Sequence, residues 1–140
     1  MSADCGRFAQ EKVIIMSAPN GARRGHEDHP ALPVTADESA SDAVALRDAG
    51  VSILHLHVRD DDGKHTLDPM RYRQAITAVR DHVGDELVIQ VTTEAVGQYT
   101  SEQQMSVVRE LKPEAVSIAL REICPTDSDE VRAAEFFAWM

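Results

Sequence analysis

Apolar positions along this chain switch between short runs and a helical spacing, and the switches mark out four strand–helix units. Val13 to Ala18 is a short apolar run of the kind expected for a strand covered on both faces. Pro19-Asn20-Gly21 ends it, and a long polar loop follows from Ala22 to Val34. Thr35-Ala36-Asp37-Glu38 has the form of a capping box, because Glu38 stands where it can reach back to the Thr35 amide. The helix it opens puts Ala40, Ala43 and Val44 on one face, and Gly50 stops it. Ser52 to Val58 reads as the second strand, with Asp60-Asp61-Asp62-Gly63 as a solvated acidic turn. Pro69 suits a first helical position. Tyr72, Ile76, Val79 and Val83 then recur at helical spacing, which predicts an amphipathic helix from Met70 to Val83, ended by Gly84. Leu87 to Thr93 is the third strand. Ser101 is the expected cap of a third helix, with Met105, Val108 and Leu111 facing inward and Pro113 breaking it. Ala115 to Arg121 is the fourth strand. A fourth helix runs from about Ser128, with Val131, Ala134 and Ala138 on one face.

Strands alternating with amphipathic helices imply parallel strands joined by right-handed crossovers. Two architectures use that order, an open doubly wound sheet and a (β/α) barrel. The first strand is followed by Asn20-Gly21-Ala22 and then Arg23 and Arg24, which is no glycine-rich dinucleotide turn. Polar residues at the C-terminal ends of the strands (Asn20, His57, Thr92, Thr93 and Arg121) favour the barrel, whose active sites lie on that rim. A full barrel has eight strands and about 250 residues. The 140 residues here supply four βα units. The predicted fold class is therefore α/β, the N-terminal half of a (β/α)8 TIM barrel. Residues 1–12 are expected as a flexible N-terminal arm and 13–140 as a partial barrel domain. Phe136, Phe137, Trp139 and Met140 close the sequence with large apolar side chains, so a neighbour is expected there, and with it a homo-oligomer.

Composition narrows the partners. Apolar residues make up 43% and charged residues 27%, the balance of a globular protein. The net charge of −10 argues against nucleic acid and against a membrane surface. It also means that an anionic substrate needs a local arginine or a metal. Cys5 and Cys124 are far apart and fit no paired-cysteine metal motif. Met1 to Lys12 carries no secretory pattern, so reduced thiols in a cytoplasmic protein are expected.

The candidate chemistry centres on His55-Leu56-His57. Alternate residues of a strand share a face, so both imidazoles project together while Leu54, Leu56 and Val58 project toward the helices. Two histidines so placed can hold one divalent metal, with Zn2+ the expected match, at about 2.0–2.1 Å each. A third ligand is needed, and strands three and four offer no obvious one. His26, His29 and His65 fall in loops and are expected to be solvated. Gly21 allows a tight turn before Arg23 and Arg24, which could hold a carboxylate or phosphate or simply face solvent. Gln90 and Thr92 share a face, so Thr92, next to Thr93 and Glu94, could meet a ligand; ordinary β-propensity explains it as well. Ser117, Ala119 and Arg121 would likewise share a face, with Arg121 either serving an anionic substrate or pairing with Glu122 or Glu94. Asp60-Asp61-Asp62 lacks the remaining spacing of a calcium loop.

Ile53-Leu54-His55-Leu56-His57-Val58-Arg59-Asp60, followed by Asp62-Gly63, resembles the β-keto acid cleavage enzymes. Leu32-Pro33-Val34-Thr35, Gln90-Val91-Thr92-Thr93 and Lys112-Pro113-Glu114 support the likeness in the same order, from about Val13 onward. The resemblance implies a zinc TIM barrel that condenses a β-keto acid with acetyl-CoA, giving acetoacetate and a new CoA thioester. It implies metal-ligand roles for His55 and His57 and a substrate contact for Thr92. The family's third ligand, a Glu, and its adjacent catalytic Asp and Arg belong to a later part of the barrel. Two positions depart from the 3-keto-5-aminohexanoate-cleaving members: Arg23 stands where they carry a substrate-binding Glu, and Glu122 where they carry a Thr. Arg23 suggests a more anionic keto acid. Substrate-binding candidates are thus Asn20, Arg23, Arg24, Thr92, Thr93, Arg121 and Glu122. Two other readings stay open: a catalytically incomplete half-barrel that needs self-association or a C-terminal half, and a different metal-dependent TIM-barrel hydrolase. Amidohydrolases also use His-x-His, but on a first strand, and Val13 to Ala18 precedes the pair here.

Overall fold

The computed structural model describes residues 12–140. The expected arm at 1–12 lies outside the described residues except for Lys12, and so does Cys5. Four strands form a parallel sheet in the order β1 (Met16–Ser17), β2 (Ile53–Leu56), β5 (Val88–Thr92), β6 (Ala115–Ser117). Two short strands, β3 (Val58–Arg59) and β4 (His65–Thr66), make a separate antiparallel hairpin. Helices α1 (Ala36–Asp48), α2 (Pro69–Val83) and α3 (Ser101–Leu111) connect the sheet strands. After β6 come α4 (Leu120–Ile123), a single 3-10 turn at Asp127–Asp129, and α5 (Glu130–Trp139).

The helix ends follow local chemistry. Thr35 and Glu38 form the expected capping box at α1. Asp68 caps α2, with Pro69 as its first residue, and its side chain accepts from the Met70 amide. α3 is capped by Thr100 rather than Ser101, because the capping box pairs Thr100 with Gln103. The core joins sheet residues Leu54, Leu56, Leu87, Ile89 and Val91 to Ala40 and Ala43 of α1, Tyr72, Val79 and Val83 of α2, and Met105 and Val108 of α3. The small Ala40 and Ala43, both fully buried, let α1 lie close to its neighbours.

Three expectations need correcting. The first strand is not covered on both faces: only Met16–Ser17 is paired, on one side, and Val13 and Ile14 are 77% and 73% exposed. The fourth strand stops at Ser117, opposite Thr92, where β5 also ends. The chain then turns into α4, so Arg121 is an exposed helical residue and shares no strand face with Ser117. Finally, α5 buries Ala133 and Phe136; Val131 is 72% exposed, and Ala134 and Ala138 are also exposed. No helix among the described residues is long and apolar enough to cross a membrane.

Candidate metal centre

His55 and His57 are brought together as their spacing predicts. Their Nε2 atoms are 3.1 Å apart and their ring centroids 5.0 Å apart. Leu54 and Leu56, on the opposite side, are buried in the core. The ladder of β2 nevertheless ends at Leu56, and His57 stands at the break before the β3–β4 hairpin. Asn20 spans that break. Its Nδ2 donates to the His57 carbonyl at 2.9 Å and its Oδ1 accepts from the His57 amide at 3.4 Å. With Asn20 only 4% exposed, these bonds hold the backbone that aims the His57 ring.

Arg59 holds the loop on the other side of Asn20. Its Nη2 donates to the carbonyls of Asn20, Gly21 and Arg24, at 3.3, 2.5 and 3.3 Å. Gly21 takes a φ of 55°, a left-handed conformation that glycine adopts without steric cost. The resulting loop leaves Arg23 and Arg24 exposed on the rim. Arg23 pairs with Glu94 at 3.5 Å.

The histidine environments fit a cation. His55 Nδ1 donates to Gln90 Oε1 at 2.6 Å, the residue directly opposite it in the β2–β5 register. That bond assigns the proton to Nδ1 and turns the Nε2 lone pair toward His57. In a tetrahedral zinc shell, ligand nitrogens lie about 3.3–3.4 Å apart, within a few tenths of the observed separation. His57 is pushed down to about 3 by burial first, then by the neighbouring His55, His65 and Arg59, so its ring is neutral and available as a ligand near neutral pH. Its Nδ1 is buried without a hydrogen-bond partner among the described residues. No group of three or more His, Cys, Asp or Glu side chains able to hold a metal is assembled among the described residues.

The fold adds residues that spacing did not reveal. His65, expected in a solvated loop, is 5% exposed because it lies on β4, opposite Arg59. Its ring is 5.3 Å from that of His57, and its Nε2 contacts the Glu94 carbonyl at 2.9 Å. The signal available was the Asp60-to-Gly63 turn: Asp60 Oδ1 accepts from the Asp62 and Lys64 amides, Gly63 has a φ of 75°, and a tight hairpin returns His65 to the site. Glu94 brings its Oε2 to 4.0 Å from His57 Nε2. Tyr72 donates to the Thr92 carbonyl at 2.8 Å, and Thr92 Oγ1 accepts from the Glu94 amide at 3.1 Å. Thr93 is fully buried, its hydroxyl on the Ser117 carbonyl at 3.3 Å. Glu122 Oε2 accepts from the Ala95 amide at 3.1 Å, whereas Arg121 is exposed. Val96 holds a φ of 46°, which for a β-branched residue costs about 1–2 kcal/mol. His26 and His29 are exposed, as expected for loop residues, and Cys124 is a free thiol.

Comparison with known proteins gives the family. Residues 12–138 match the family described as beta-keto acid cleavage enzyme. A 3-keto-5-aminohexanoate cleavage enzyme of Fusobacterium nucleatum is 41% identical over 108 residues, which is 77% of this chain and 39% of that protein. The enzyme of the same name from Acetoanaerobium sticklandii is 38% identical over the same shares. A 3,5-dioxohexanoate:acetyl-CoA acetone transferase of Paraburkholderia graminis is 33% identical over 110 residues, 78% of this chain and 35% of that protein. The chain thus spans less than two fifths of the length of these relatives. With nearly its whole described length matched, the chain belongs to the beta-keto acid cleavage enzyme family.

Proposed function

We propose that this chain is the first half of a zinc-dependent (β/α)8 barrel that exchanges acyl groups between a β-keto acid and acetyl-CoA. The bond between the keto carbon and its carboxymethyl group breaks, the acyl group passes to CoA sulfur, and the carboxymethyl group takes the acetyl group to give acetoacetate. The observation that carries this reading is the pair of imidazole Nε2 atoms 3.1 Å apart at the strand ends, beside a rim that bears Arg23 and Arg24. His55 and His57 would hold the cation, and a divalent ion bound there supplies Lewis-acid polarisation of a keto carbonyl. Arg23 and Arg24 would take a substrate carboxylate, and Thr92 would stand at the strand-three end, beside Glu122 at the strand-four end. Arg23, in place of the Glu of aminohexanoate-cleaving relatives, points to a keto acid with a distal anionic group rather than an amine.

A second reading is supported by the exposed Val13 and Ile14 beside a sheet edge. In it, this chain holds the cation but is catalytically incomplete until another half-barrel covers the edge, by self-association or from a C-terminal half. Formation of CoA esters from acetyl-CoA and a panel of β-keto acids separates the two. Zinc-dependent turnover, favouring keto diacids and lost in His55→Ala, is expected of the first. Bound zinc without turnover is expected of the second.

A further inference from the structure

Arg59 is a buried cation without an anion. It is 6% exposed, and burial pulls its guanidinium below the ordinary arginine value. Its Nη2 is taken up by three loop carbonyls, while its Nη1 is buried with no hydrogen-bond partner among the described residues. Asp60 and Glu94 act on it electrostatically, but neither forms an ion pair with it. Carbonyl dipoles solvate a charge without neutralising it, and a buried charge is costly unless paired. Arg59 lines a cavity of about 290 Å3 at the N-terminus of α1, where Thr35, Ala36 and Ser39 form one wall. Glu38 takes the Val34 and Thr35 amides there. The Ala36 amide, at the first helical position, is one that a helix leaves without an internal partner. His57 lines the cavity too, and its Nδ1 is a second buried atom without a partner among the described residues. The acids on the wall are engaged elsewhere: Asp61 pairs with Arg71, and Asp60 Oδ1 accepts from the Asp62 and Lys64 amides.

We propose that this cavity is an oxyanion site, with Arg59 Nη1 as its charged donor and the Ala36 amide as a second donor. An oxyanion there completes the hydrogen bonds of the guanidinium and pairs its charge. The site is separate from the exposed Arg23 and Arg24, which do not line this cavity. A phosphate group of CoA and the carboxylate of a keto acid share this chemistry, and His57 on the wall puts either one beside the imidazole pair.

The proposal needs no cation at His55 and His57, so the test is run on the full chain in EDTA, and its outcome is independent of that reading. Inorganic phosphate, acetate, CoA and dephospho-CoA are titrated into the isotope-labelled chain and followed by amide NMR. Phosphate is expected to shift the Ala36 amide saturably. Its affinity should fall about tenfold in R59Q, which removes the charged donor, and by less in R59K, which keeps the charge but not the planar fork. A36L leaves Arg59 in place and fills the cavity, and should weaken phosphate about fivefold or more. Thermal melting checks that the variants fold alike, and A36L carries the test if R59Q does not fold. CoA bound more tightly than dephospho-CoA supports the site with a phosphate as its occupant, and acetate bound as tightly as phosphate supports it with a carboxylate. No saturable shift at Ala36 overturns the proposal. So do shifts confined to the Arg23 and Arg24 amides, or A36L and R59K binding phosphate as wild type does.

Discussion

Strand β2 lies between two hydrogen-bonded neighbours, β1 and β5, whereas β6 pairs with β5 alone. Both segments show the same alternation in sequence, Leu54-His55-Leu56 in one and Val116-Ser117-Ile118-Ala119-Leu120 in the other. In β2 the alternation decides the structure: Leu54 and Leu56 are 1% and 0% exposed, and the two imidazoles meet on the other side. In β6 it decides nothing past Ser117, and Leu120 is 64% exposed on a short helix. Alternation assigns faces only while a strand is paired. At Thr92 and Ser117 the pairing ends, and with it the inference that placed Arg121 on the inner face.

Truncation of the two leucines sharpens this contrast most. Leu56→Ala is expected to cost about 3 kcal/mol, since it opens a cavity in the core, and Leu120→Ala less than about 0.5 kcal/mol. Urea unfolding of both variants checks it, and equal losses would break the contrast.

Acid distinguishes the same two ends. Burial lowers both His57 and His65, His57 from 6.5 to about 3, while no histidine lies on β6 or α4. Below pH 6.5 the unfolded chain takes up protons that the folded chain refuses. The stability from the neutral rings is therefore complete above that pH and is lost as pH falls toward the folded value. Between pH 6.5 and 5, the metal-free chain should lose about 2 kcal/mol from His57, with His65 adding in the same direction. Denaturant titrations in EDTA across that window measure it; a flat profile would contradict the burial argument.

The smallest contrast concerns the residues at the two rims. Asn20→Ala removes buried hydrogen bonds to His57 and should cost about 1–2 kcal/mol, while Arg121→Ala should leave stability unchanged. Comparable thermal shifts in the two variants would place the supporting contacts at the wrong strand.

Legibility in the sequence followed the range of the interaction. The α1 cap needed only Thr35 and Glu38, three residues apart, and the shared face of His55 and His57 needed only the strand period. The roles of Arg59, His65 and Glu94 depend on loops that close over long separations. Arg59 reaches carbonyls of the loop at 20–24, and His65 reaches Glu94, contacts that no local period encodes. His65 is the instructive case. The Asp60–Gly63 turn is visible in the sequence, but its return of His65 to the site depends on the β3–β4 pairing that the fold sets. On α5, Val131 and Ala134 fit the helical period as well as Ala133 and Phe136 do, and only packing separates the buried face from the exposed one.

The central claim is that the ends of β2 form a cation site, and zinc stoichiometry tests it most directly. Purified chain, dialysed against zinc and then against zinc-free buffer, should retain one zinc per chain by elemental analysis, and His55→Ala and His57→Ala should retain none. A wild-type chain without zinc, or variants that keep it at the wild-type level, would contradict the account.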